Sequence, residues 1–397
     1  MSQINEKRAV DLVMQLMAVR GQSCEETEIA AVVVAQLKSQ GIPDDAISFD
    51  TAHKRTPRPG AIGNLIVKLP GTKKGPRLML SAHMDTVPIC MGCKPKRVGD
   101  IIKSADPATG LGGDDRAGVA AILVGLMEVL ESKQEYAPLT LCFFVQEEIG
   151  LQGSRNLVVN KLGKPAFALN FDGGNPKKLT IGATGGEKLK IKLHGIPSHA
   201  GLAPQDGANA ITASSLAIAS LHKDGWLGLV KKKLPGAMGP SKGTSNVGII
   251  RGGNATNVVT DYVEVDAEAR SHESPFRTTI SNAIKDAFIK AATQVTTAAG
   301  IAVRAEVEQR VDYESFRLEE DSEAVQRAAA TVRASTGEEP ILAVTDGGVD
   351  ANWLYKHGIP AVTLGCGQRD VHTNKETLDV PDFLAACRIA KAAILGG

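Results

Sequence analysis

The chain has 397 residues, 43% of them hydrophobic and 22% charged, which allows two ordinary domains or one domain with a large insertion. Lys plus Arg number 45 against 44 for Asp plus Glu, a formal net charge of +1. That balance excludes any global attraction to nucleic acid or to an anionic membrane, so partners must be chosen by local sites.

The N-terminal stretch MSQINEKRAVDLVMQLM reads as an amphipathic helix with charges among its apolar positions, not as a signal peptide. No apolar run approaches the roughly 18 residues that a membrane span needs, so a soluble, cytoplasmic protein is expected. Six cysteines, at 24, 90, 93, 142, 366 and 387, are scattered too widely for a disulfide framework, which agrees with a reducing compartment. Cys90 and Cys93 form a CxxC that is half of a zinc motif, but no second CxxC or HxxxH completes it, and a plain loop is the expectation.

Ser23 and Glu26 are placed to form a capping box for the helix EETEIAAVVVAQLKSQ, which Gly41 stops. RLMLSAH (77–83) reads as a strand, AGVAAILVGLMEVLES (117–132) as a helix, and LTLCFFVQ (139–146) and AFALNF (166–171) as two more strands. Apolar strands spaced by helices predict an α/β domain with a mixed, largely parallel sheet buried on both faces.

Near residue 185 the pattern changes. KLKIKLHGI alternates as a half-exposed strand, TSNVGIIRGG and VVTDYVEVDAEAR follow, and the last sets Val263, Val265, Ala267 and Ala269 against Glu264, Asp266, Glu268 and Arg270. Ser274 and Pro275 open a helix with apolar residues at 280, 283, 284, 287, 288 and 291, and IAVRAEVEQRV is another alternating strand. The order β, α, β, β, α, β is that of a ferredoxin-like α+β unit. After Phe316 the α/β style resumes with helix EAVQRAAATVRAS and strand PAVTLG. The predicted organisation is a catalytic domain in two parts, 1–184 and 314–397, interrupted by an inserted domain, 185–313.

Chemistry gathers at the strand ends. His83 ends RLMLSAH, Glu147 and Glu148 follow LTLCFFVQ, Asp172 follows AFALNF, and Asp114 and Asp115 precede a helix in GLGGDDRAG. The carboxyl ends of parallel strands line the ligand crevice of open α/β sheets, so these groups can converge. Taken singly, a strand-end His is an ordinary core residue and a DD an ordinary helix cap. Together they are a pile of negative charge that needs cations. Metal is the simplest cation, His with carboxylates suits zinc with manganese or cobalt as substitutes, and a bridging carboxylate would hold two ions about 3.5–4 Å apart. His372, in the Gly-rich loop GCGQRDVHTNKE, supplies a second imidazole.

In order, SAHMDTVP, GLGGDDRAG, FFVQEEIGLQGS, NFDGG, GIPSHAG, GGNATNVVTD and DVHTNKE resemble the cocatalytic di-metal peptidases that include peptidase T, carnosinase, glutamate carboxypeptidase, acetylornithine deacetylase and succinyl-diaminopimelate desuccinylase. The resemblance spans nearly the whole chain, and GGDDRAG and TDGG (345–348) are most similar to peptidase T, which removes an N-terminal residue from tripeptides. It implies that two zinc ions are held by His83 and Asp172 on one side and His372 and Glu148 on the other. Asp114 would bridge them, with adjacent Asp115 as its rival and a cis peptide after the bridge. It also implies Glu147 as general base for a metal-activated water and Asp85 as the carboxylate that orients His83. In the inserted domain it makes His199 an oxyanion donor that acts on the partner subunit's substrate in a dimer, and makes Asn257 and Arg270 substrate contacts, Arg270 by clamping a carboxylate. On the polar face of its strand Arg270 also reads as a solvated charge.

The expected function is a metal-dependent exopeptidase of short peptides, aminotripeptidase-like, forming a homodimer through the inserted domain. The alternatives are a deacylase of N-acyl amino acids, a carboxypeptidase or dipeptidase, or a non-catalytic binding protein. The last should have lost a ligand or the base, and all the candidates are present.

Overall fold

A computed structural model describes residues 4–234, 236 and 238–396. The chain divides into two compact units, one of Met1–Gly182 with Arg317–Gly397, the other of Ala183–Phe316. Among the described residues no helix is long and apolar enough to cross a membrane.

The first unit is built on a nine-stranded sheet, ordered Ile47–Phe49, Leu65–Leu69, Leu139–Phe144, Leu78–His83, Phe167–Phe171, Ala361–Leu364, Lys178–Ala183 and Phe316–Arg317, with Ile341–Thr345 also paired to Lys178–Ala183. Its four central strands are mutually parallel, and all their residues are buried. Double-sided burial is why these segments read as continuous apolar runs. The helix Gly113–Ser132 packs on strands Leu78–His83 and Phe167–Phe171 and on helices Glu6–Ala18 and Val380–Leu395. It is buried almost all round, which suits its run of small and aliphatic residues. Two glycines permit that fit. A Cβ at Gly118 would lie 2.0 Å from the Phe171 carbonyl oxygen, and one at Gly125 would lie 2.8 Å from the Ala390 Cβ.

The expected capping box at Ser23 and Glu26 does not form. The helix runs Thr27–Ser39 with Glu26 at its N-cap position and no side-chain cap. The Ser23 hydroxyl instead donates to Asp85 Oδ2 at 2.7 Å, and Glu26 Oε1 accepts from the amides of Cys24 and Gln146. The charge-assisted bond to the Asp85 carboxylate orients the hydroxyl away from the helix start. The expected helix stop at Gly41 is present, with φ +78°. The N-terminal helix is Glu6–Ala18, capped by the Asn5 side chain, and residues 1–3 of the predicted segment lie outside the described residues.

The second unit is a five-stranded antiparallel sheet, ordered Gly228–Lys232, Ser241–Gly252, Tyr262–Ser271, Gly185–His194 and Arg304–Tyr313. Without the first, edge strand this is the strand order of a βαββαβ unit, with Ala210–Lys223 and Ser274–Gln294 as its helices. Val263, Val265, Ala267 and Ala269 face Phe276, Ile280, Ile284 and Phe288 in one core. Within it sits a charged pair that no periodicity signals: Arg277 Nε lies 3.4 Å from Glu187 Oε2, and Ser281 donates to Glu187 Oε1 at 2.7 Å.

Candidate metal centre

The four parallel strands end along one edge of the first unit's sheet. His83 is the last residue of its strand. Asp172 directly follows Phe171, and its amide bonds to the Leu364 carbonyl at 2.8 Å. After Phe144 the chain turns at Gln146, which has φ +54°, and this turn ends the strand two residues before the predicted boundary.

The turn aims both following amides at one carboxylate. Asp85 Oδ1 accepts from Glu147 N at 2.9 Å and Oδ2 from Glu148 N at 3.2 Å. Asp85 also faces the imidazole, with its carbonyl oxygen 3.0 Å from His83 Nδ1 and its Oδ1 3.5 Å from the same atom. With Nδ1 engaged, His83 turns Nε2 toward Asp114 Oδ1, 3.1 Å away. The other oxygen, Asp114 Oδ2, lies 3.3 Å from His372 Nε2, which is also 2.9 Å from Glu148 Oε2. Asp114 therefore presents one oxygen to each imidazole.

The two adjacent aspartates are sorted by their bonds. Asp115 spends Oδ2 on the amide of His83 at 3.1 Å and Oδ1 on Gly118 N and Gln368 Nε2. It is wholly buried, and the peptide between it and Asp114 is cis. Asp114 is left with its carboxylate toward the histidines.

Two donor groups result, His83 with Asp114 and Asp172, and Asp114 with Glu148 and His372; in each, the ligating atoms lie within 4.8 Å of one another. Both sets are of the His-carboxylate kind that binds divalent transition ions. Glu148 Oε1, buried and without a hydrogen-bond partner, fits the same chemistry. Glu147 belongs to neither group.

The electrostatics describe a surplus of negative charge. Burial and then the charge of Asp114 push Asp172 up to about 7. Burial likewise raises Glu147 well above the ordinary carboxylate range and raises Glu148. Asp114 moves the other way, because its bonds to His372 and His83 outweigh burial. His372 is raised to about 10 by its bonds to Asp114 and Glu148. Divalent cations would neutralise this surplus and invert the local balance.

Several residues around the centre carried no sequence signal of their own. Asp350, wholly buried after TDGG, is pushed up to about 7 by burial, and its charge in turn bears on Glu147 and Asp172. Gln368 and Glu376 flank His372 in the segment predicted only to deliver that histidine, and both are buried. Cys90 and Cys93 belong to neither donor group; both are buried free thiols, and Cys90 Sγ points at Glu376 Oε2, 3.5 Å away.

The second unit brings His199 and Asn257 together. Ala200 N donates to the Asn257 carbonyl at 2.9 Å, and His199 bridges to Val258. His199 is exposed, and its Nδ1 accepts from the amides of Gly201 and Leu202, both at 3.1 Å, which puts the ring proton on Nε2. Arg270 is not beside them. It lies toward the far end of strand Tyr262–Ser271 and grips Glu268 with Nε at 3.0 Å and Nη2 at 3.1 Å.

Comparison with known proteins gives the family. Over 99% of both chains the structure superimposes on the aminopeptidase PepT of Bacillus cereus with a TM-score of 0.82 and 30% identity. Over 98% of both it superimposes on a tripeptidase of Staphylococcus aureus with a TM-score of 0.85 and 28% identity. In sequence it is 32% identical over 400 residues, 98% of each chain, to the uncharacterized protein YqjE of Bacillus subtilis. Residues 79–396 match the model of peptidase family M20/M25/M40, and the chain belongs to that family.

Proposed function

We propose that the protein is a two-metal exopeptidase that removes the N-terminal residue from short peptides, with tripeptides as its substrates. The observation that carries this reading is the split carboxylate of Asp114, one oxygen toward His83 and one toward His372. Its likeness to the Bacillus cereus aminopeptidase and the Staphylococcus aureus tripeptidase supports the choice of substrate.

In this reading His83 and Asp172 hold one ion, His372 and Glu148 the other, and Asp114 serves both. Two zinc ions, or manganese or cobalt in their place, would polarise the scissile carbonyl and lower the pKa of the attacking water. Glu147, outside both donor groups, takes the proton from that water and hands it to the leaving amine. The carbonyl oxygen of Asp85 fixes the tautomer of His83 and its carboxylate fixes the backbone of both glutamates, so one residue sets a ligand, the base and a second ligand.

His199, with Nδ1 engaged, donates its Nε2 proton to the developing oxyanion, Asn257 contacts the substrate beside it, and Arg270 exchanges Glu268 for the substrate carboxylate. Eight residues of strand separate Tyr262 from Arg270, roughly 26 Å at about 3.3 Å per residue. A tripeptide spans only about 10 Å. That separation favours a homodimer, assembled through the inserted unit, where His199 serves the partner's site. The free cysteines fit a cytoplasmic enzyme.

The deciding experiment gives zinc-treated protein a free tripeptide and the matching N-acyl amino acid, with and without chelator. Chelator-sensitive release of the N-terminal residue is the expected result. Turnover of the acyl compound alone would make it a deacylase, release from the C-terminus a carboxypeptidase, and no turnover a binding protein.

A further inference from the structure

The loop that presents His372 is closed by a short ladder, Gln368 to Leu378 and Arg369 to Thr377, which is paired in turn to strand Ile101–Ser104. Four residues to either side of His372 stand the two buried polar side chains Gln368 and Glu376, 3% and 2% exposed. Both reach into other segments of the centre. Glu376 Oε2 accepts from Leu111 N at 2.9 Å and Gly112 N at 2.8 Å, and Oε1 accepts from Asp114 N at 3.0 Å. Gln368 Nε2 donates to the Gly113 carbonyl at 3.1 Å and to Asp115 Oδ1 at 2.8 Å, while its Oε1 accepts from Gly173 N, next to Asp172, at 2.7 Å.

These bonds replace an ordinary cap. Helix Gly113–Ser132 begins with Gly112 in the left-handed region and has no capping side chain of its own, and Asp114 and Asp115 lie outside helical geometry. The first amides of a helix are orphan donors at the positive end of its dipole. Here a carboxylate from a distant segment satisfies three amides around the helix start, and one of them is the amide of Asp114 itself.

We propose that Glu376 is the positioning residue that sets Asp114 between the two imidazoles, with Gln368 tying the same loop to that of Asp172. The loop of His372 and the helix start that carries Asp114 are thereby tied to each other. Glu376 touches no substrate and acts only through Asp114. The proposal rests on the two-ion reading above.

Glu376→Gln tests it, because both carboxylate oxygens are acceptors and an amide can serve only one side. With its oxygen kept on Leu111 and Gly112, the new NH2 group meets the Asp114 amide and breaks that bond. Metal-free parent and variant are titrated with cobalt(II) by calorimetry, and the coupling between the two ions is read by electron paramagnetic resonance. Hydrogen exchange at the Asp114 amide is followed in chelator. The parent should take two coupled ions. The variant should bind the second at least about tenfold more weakly, with reduced coupling and faster Asp114 exchange. A variant that takes two ions with the parent's affinities and coupling overturns the proposal alone. A parent that takes fewer than two ions overturns the functional reading and the proposal with it. Should Glu376→Gln fail to fold, Glu376→Asp, one methylene shorter and unable to reach all three amides, takes its place in the same titration: a weakened second ion supports the proposal, and parental binding overturns it.

Discussion

Replacing Asp85 by Asn should damage both the metal centre and the base, by an amount its bonds allow to be worked out. The carboxylate takes Glu147 N on Oδ1, and Glu148 N with the Ser23 hydroxyl on Oδ2. In Asn the oxygen keeps Glu147 N, the hydroxyl of Ser23 turns to accept from the new NH2, and the Glu148 amide faces a donor. One charge-assisted bond is lost at a wholly buried site, which costs about 1.5–3 kcal/mol. At about 1.4 kcal/mol per decade this corresponds to a fall of roughly 10- to 150-fold, the range seen when groups that orient metal ligands are removed. The assay is kcat/KM on the tripeptide at saturating zinc, together with zinc affinity measured against a chelating dye. Because Glu148 is a ligand of the His372 ion in this reading, affinity for one ion should fall and the other should hold. A variant within threefold of the parent on both measures would refute the role given to Asp85.

The division of labour in the Glu pair predicts that Glu147→Ala keeps both ions yet loses most turnover, whereas Glu148→Ala and His372→Ala lose an ion; metal analysis after dialysis reads the difference, and near-normal turnover by Glu147→Ala would reverse the assignment. Glu26, wholly buried and raised from 4.5 to about 7 by burial and then by the charge of Asp85, gives a pH signature. The unfolded chain loses this proton first, so stability falls as pH rises from about 4.5 to about 7 and levels off above; the span is on the order of 3 kcal/mol. Glu26→Gln should flatten that slope in urea titrations run across the range, and an unchanged slope would count against it. In the second unit, Arg277→Ala strands Glu187 in the core, and a loss of about 3–5 kcal/mol is expected; thermal unfolding that matches the parent would show the pair to be of no consequence.

How much of this was legible in the sequence depended on where each residue's partner lies. His83 and the glutamates after Phe144 stood out because strands buried on both faces are largely apolar and carry no ionisable carboxylate or imidazole before their ends, so the first such group marks the strand end. The alternation of Val263, Val265, Ala267 and Ala269 gave the inserted sheet in the same way. The edge strand Gly228–Lys232 was missed because most of it is exposed and it lacks that contrast. Ser23 misled for another reason: its spacing to Glu26 suits a cap, but the acceptor that wins it stands 62 residues away. Glu376 lies 262 residues from the amide of Asp114, and no local pattern reports so remote a bond. The separation of His199 from Arg270 likewise needed the strand register, since the two differ by residues that a loop could have folded back. Periodicity thus exposes the residues that offer chemistry. What decides which oxygen of Asp114 faces which imidazole includes long-range bonds from Gln368 and Glu376, and those come into view only once the sheet edge has drawn the loops together.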